Sequence, residues 1–191
     1  MLSNFIRQRM GGYIRQAELM GDMRRIWINH VWQDREATTA IANNLPSMQA
    51  SVDFALTTPK VLGELFSNFY SERSVERIED TLTSHIKIAG DIVAAARDGD
   101  MQKLEEQTKL WHANADDFAR VMAAINPHFD EEIVRKMMYE HLRLILLMIS
   151  QIVRGDFAQG ITTFTQNLDE VEQMSDYFAK GIIAHLPERF R

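Results

Sequence analysis

The sequence predicts an all-α fold, a compact bundle of about six helices arranged as three helical hairpins. Three observations lead there. Apolar residues recur at alternating steps of three and four along nearly the whole chain, the spacing of one helix face. No segment alternates with period two for long enough to form a strand. Glycine and proline, nine and four in 191 residues, are few and fall where the periodicity pauses.

Taking the elements in order, the pauses at Leu45-Pro46, Gly99, Asn126-Pro127, Gly155 and Leu186-Pro187 divide the chain into helices over 18–44, 47–70, 72–98, 100–125, 130–154 and 156–185. The second is expected to break at Pro59, with Thr58-Pro59 as a cap and a fresh first turn. Ser71 opens the third, and Asp130-Glu131-Glu132 gives the fifth both a cap and acidic charge at the positive end of the helix dipole. The fourth carries the stripe Met101, Leu104, Thr108, Trp111, Ala115, Phe118, Met122, Ile125, and the sixth carries Ile161, Phe164, Leu168, Val171, Ser175, Phe178, Ile182. Short connections make successive helices antiparallel neighbours. The length suits one domain, over 18–187. Residues 1–17 read as an N-terminal extension, basic and weakly amphipathic through Phe5, Ile6, Met10, Tyr13, Ile14 and Arg7, Arg9, Arg15, and interrupted at Gly11-Gly12.

An internal repeat runs through this plan. His85 is followed by Gly99-Asp100 and His141 by Gly155-Asp156 at the same spacing, the two histidines being 56 residues apart. Ala115, Phe118 and Met122 align with Val171, Met174 and Phe178 at that offset. A fainter third copy begins at His30, with Asn44-Leu45-Pro46 in place of the Gly-Asp turn. Each hairpin thus opens with a histidine in its first helix, and common geometry is better supported than common ancestry.

All three histidines stand in core stripes. His85 follows Val75, Ile78 and Leu82; His141 lies between Met137 and Leu144; His30 and Asp34 share one face after Trp27. A buried imidazole needs partners for both nitrogens, and each orphaned group costs roughly 1–3 kcal/mol. The candidate partners are Asp34, Asp116, Asp176 and Asn114, with Trp27 and Trp111 as pocket walls, although tryptophan at helical spacing, Trp32 included, more often fills a core. Three readings stay open: satisfied core histidines, a polar pocket for a small molecule, and a metal site of His30, His85 and His141 with one Asp, holding a divalent transition ion. A carboxylate-bridged di-metal site is excluded, because Trp27, Leu82 and Met138 occupy the positions where such sites place glutamate.

Other chemistries are excluded more directly. A formal charge of −6 disfavours general nucleic-acid binding, which needs cationic neutralisation of phosphates. The absence of cysteine removes disulfides, thiolate metal sites and cysteine nucleophiles. No phosphate-binding glycine loop, dinucleotide turn or nucleophile elbow occurs. The longest strongly apolar run, Leu144 to Ile149, is far short of a membrane span, and MLSNFIRQRMGGYIRQ lacks the continuous apolar stretch of a secretory leader. The expectation is a cytoplasmic protein, with residues 1–17 as a contact for a membrane surface or a partner, a second copy of the chain included.

The segments RIWINHVWQDRE, LTSHIKIAGDIVAAARDGD, LWHANADDFARVM, MMYEHLRL and MSDYFAKGI together resemble an uncharacterised family of small bacterial all-helical proteins, some carrying glycosyltransferase or acetylglutamate kinase names. The likeness covers roughly residues 25–187, and its markers are Trp27 before His30, then His85, Trp111 with Asn114 and Asp116, His141, and Asp176. It implies a helical fold and the same three histidines, and no activity. Neither a nucleotide-sugar fold nor a kinase phosphate loop can be built from this pattern. The family's Leu-x-Leu-Thr after the last histidine stands here as Leu142-Arg143-Leu144-Ile145, so any site that its threonine lines is altered. The function expected is a non-catalytic binding domain with an interior histidine site for a small ligand or metal ion. The alternative is a structural or oligomeric interaction module, and a metal-dependent enzyme ranks last.

Overall fold

Three of the turns share one device, and it is the physical content of the repeat. Fourteen residues after His30, His85 and His141, the backbone enters the left-handed region at Asn44 (φ 51°), Gly99 (φ 71°) and Gly155 (φ 77°). Glycine takes that conformation without a Cβ penalty, and asparagine tolerates it better than most residues. After each glycine an aspartate starts the next helix: Asp100 accepts the backbone N–H of Lys103, and Asp156 that of Gln159. Ser71 and Asp130 cap two more helices in the same way.

The computed structural model describes the backbone of residues 2–191, with side chains from Met10 onward. Its helices are α1 (Leu2–Ala42), α2 (Met48–Ala55), α3 (Thr58–Phe66), α4 (Glu72–Asp98), α5 (Met101–Ile125), α6 (Glu131–Val153) and α7 (Phe157–His185), followed by a 3-10 turn, Pro187–Phe190. The all-α bundle is as the sequence predicts, and the second expected helix is indeed divided, with Pro59 in the first turn of α3. α4 and α5 form one hairpin, α6 and α7 another. α1 lies against α4, α6 and α7, while α2 and α3 return across α1 and α4.

One boundary differs. Gly11-Gly12 does not interrupt the chain, for α1 runs straight through it. Gly12 is buried, and a Cβ there would stand 2.5 Å from the Phe190 carbonyl oxygen, so glycine here serves the closure of the C-terminal turn on α1. Arg15 Nε and Gln16 Nε2 donate to the carbonyls of Arg189 and Phe190 beside it. Residues 10–17 therefore belong to the first helix of the bundle, with Met10, Tyr13 and Ile14 exposed. The side chains of Phe5, Ile6, Arg7 and Arg9 lie outside the described residues.

The core is aromatic at one end of the histidine layer. Trp27 stacks on Phe178 at 5.8 Å and meets Phe118 edge-on at 6.4 Å. Trp111, Phe118 and Met122 from α5 and Val171, Met174 and Phe178 from α7 are fully buried. Trp32 is not core: it is 51% exposed, lying edge-on against Phe164, because it falls off the face that carries Trp27 and His30. Met101 and Ile161, which open the two predicted stripes, are also exposed. Among the described residues no helix is long and apolar enough to cross a membrane.

Candidate metal centre

His30, His85 and His141 are 1%, 1% and 0% exposed and meet in the middle of the bundle, one each from α1, α4 and α6. Their ring centroids are 5.7 to 6.3 Å apart. One nitrogen from each lies within 4.8 Å of the others. Tetrahedral ligands at about 2.05 Å from zinc would be about 3.3 Å apart, so a small swing of each ring closes the set on a single ion.

Hydrogen bonds decide which nitrogens are free. Asn114 Nδ2 donates to the Thr81 carbonyl at 2.9 Å, which turns Asn114 Oδ1 toward His85. That oxygen is 3.1 Å from His85 Nδ1, so Nδ1 carries the proton and Nε2 the lone pair. His141 Nδ1 lies 2.9 Å from Asn167 Oδ1, and with that amide oxygen accepting, His141 takes the same tautomer; Glu170 Oε2 stands 3.7 Å from the same nitrogen. The Nε2 atoms of His85 and His141 are buried without any hydrogen-bond partner. Both nitrogens of His30 are unpartnered too, since Asp34 Oδ2, 3.2 Å from its Nε2, is not aligned for a hydrogen bond.

Buried acceptors without a partner are costly unless something electron-poor meets them. Buried imidazoles that donate through one nitrogen to a polar side chain and offer the other inward have the tautomer and bracing of metal-bound histidines. Burial keeps them neutral. It pushes His30 and His141 down to about 4 and His85 well below 6.5, and for His85 and His141 a neighbouring imidazole adds to the effect. Neutral imidazole is the form that binds metal. Burial also pushes the Asp34 carboxyl up to about 7, opposed by attraction to His141. The His30–Asp34 contact is therefore not a full ion pair near neutrality.

The remaining candidates divide. Asn114 braces His85 as described. Trp111 donates its Nε1–H to the His85 carbonyl at 3.0 Å, with its ring 4.9 Å from the imidazole, and Trp27 sits edge-on to His30 at 5.8 Å. Asp34 adjoins His30. Asp116 and Asp176 do not join the cluster. Asp116 accepts from Arg135 and the Tyr139 hydroxyl, and Asp176 from both ends of the Arg24 guanidinium; each lies at the edge of its stripe, where an arginine from a neighbouring helix reaches it first.

Two site residues escape a reading of the stripes, Asn167 and Glu170. The repeat held a signal for the second, because the 56-residue offset carries Asn114 onto Glu170. Asn167, one turn earlier, makes the hydrogen bond instead. Burial, with the Glu140 carboxylate nearby, pushes Glu170 up to about 8.

Fold and site together define an all-α bundle with an interior three-histidine cluster. No family model, curated protein or solved structure matches the chain.

Proposed function

We propose that this chain is a helical binding domain whose three interior histidines hold one divalent transition-metal ion. The observation that carries the reading is the convergence of three buried imidazoles, each with a nitrogen that meets no hydrogen-bond partner, together with the Asn114 contact that sets the His85 tautomer. A core that merely tolerated histidine would be expected to satisfy both nitrogens of each ring. His85 Nε2, His141 Nε2 and one nitrogen of His30 are the natural ligands, and Asp34 is the nearest acid able to offset the ion's charge. An imidazole set of this kind suits zinc, copper, iron and nickel ahead of calcium or magnesium.

Titration calorimetry on chelator-treated protein tests this with zinc as the probe. One ion per chain is expected, with the stoichiometry lost in His141→Ala. Zinc at one hundred times its Kd stabilises the fold by about 2.7 kcal/mol, roughly 5–10 °C in midpoint for a chain of this size. An unchanged midpoint with no binding heat would end the proposal.

A further inference from the structure

Four residues beyond each histidine, one helical turn along, stand Asp34, Ala89 and Ile145. All three line the same open cleft of about 520 Å³. α1, α4 and α6 therefore pass the imidazole layer in one direction, and the cleft lies directly on its C-terminal side. The opposite side is closed by Trp27, Trp111 and the aromatic core behind them. The cleft meets the imidazole layer at Asp34, which lines it and stands 3.2 Å from His30 Nε2.

The lining has the character of a site for an organic molecule. Ile41, Val52, Ile86 and Val93 make apolar walls, and the small Gly90 and Ala94 keep the space between them. At the floor stand Asp34, which contacts His30, and Thr38, both buried. An apolar body with a few polar groups gathered at one end is the usual form of a small-molecule pocket, and the volume falls within the usual range. Charge selects the head group. A divalent ion on three neutral imidazoles favours an anionic oxygen as its further ligand, and an apolar cleft admits an anion that carries its single charge at one end.

We propose that this cleft binds a small amphipathic monoanion, its carboxylate-type oxygen on the metal side and its apolar chain along Ile41, Val52, Ile86 and Val93. The inference rests on the metal reading above.

The test uses the full chain loaded with cobalt(II), whose visible absorption first reports occupancy of the histidines and then any change at the ion. Acetate, butyrate and hexanoate are titrated in turn. The expected result is an apparent Kd that falls by about three- to fourfold for each methylene added, as burial of apolar chain requires. In Gly90→Leu, where the nearest atom to a new Cβ is Ile41 Cδ1 at 3.9 Å, leucine has room only by filling the cleft. The chain-length dependence should flatten there, and in Ala94→Leu, with the cobalt spectrum preserved. A flat series in the unmodified protein overturns the cleft and leaves the metal centre standing. A steep series that survives both leucine substitutions puts the chains elsewhere and also overturns it. Failure to develop the cobalt spectrum at all removes both proposals.

Discussion

Titrating the chelator-treated protein between pH 5 and pH 8 acts on four buried groups and the partly buried Glu170, which pull in opposite directions. The three histidines have folded pKa values lowered from 6.5, to about 4 for His30 and His141 and well below 6.5 for His85. Below pH 6.5 the unfolded chain therefore binds up to three protons that the folded chain refuses, and stability is lost as pH falls toward 4. Asp34 and Glu170 are raised, from 3.8 to about 7 and from 4.5 to about 8. Between those limits the folded chain keeps two protons that the unfolded chain has released, and stability is lost as pH rises. Around pH 5.5 the unfolded state holds about one proton more than the folded state; around pH 7.5 it holds about one fewer. Each proton is worth about 1.4 kcal/mol per pH unit. The sum is a stability maximum near pH 6.5, falling by about 1 kcal/mol per pH unit on either side. Urea unfolding followed by far-ultraviolet circular dichroism, at half-unit steps of pH in constant salt, measures it directly. The acid limb should disappear when the three histidines are replaced together, in any variant that still folds. A stability that is flat from pH 5 to pH 8, or that rises steadily through pH 8, would refute the burial of these groups in the ionisation states described.

Other outcomes follow from single contacts. His85→Ala and His141→Ala should be non-additive in stability, with a coupling of about 0.5–3 kcal/mol in a double-mutant cycle, as for residues in one network; additive effects would mean that the rings do not share a site. Asn114→Ala should weaken metal binding by about ten- to a hundredfold in competition titrations, because it frees the His85 tautomer, whereas Asp116→Asn should leave binding unchanged. Gly181→Ala should destabilise the fold by about 1–3 kcal/mol in urea, since a Cβ there would fall 2.2 Å from Phe129 Cε1. A neutral outcome at Gly181 would show that Phe129 can move aside at little cost.

The sequence discloses the helices well because each boundary has a local chemical cause. Gly99 and Gly155 mark left-handed turns, Asp100 and Asp156 mark caps, and the apolar steps between them mark faces. The Gly11-Gly12 pair misleads because glycine lowers helix propensity locally, whereas Gly12 is required by a contact with the far end of the chain at Phe190. The inward direction of the three histidines is legible from periodicity, and their common level from the shared fourteen-residue distance to a left-handed turn. Partner identity is less accessible. Asp116 and Asp176 look available on their own helices, and only the packing shows Arg135 and Arg24 reaching them. Asn167 and Glu170 sit one turn apart on α7, and helix rotation alone decides which of them bonds to His141.

The most direct test of the metal centre is elemental analysis of the untagged protein, purified and dialysed without chelator, beside the His85→Ala variant. A transition metal near one equivalent per chain, absent from the variant, is the predicted result. A protein that is metal-free as isolated and takes up none from a zinc or cobalt solution would contradict it, and the three imidazoles would then have to be explained as hydrogen-bonded core.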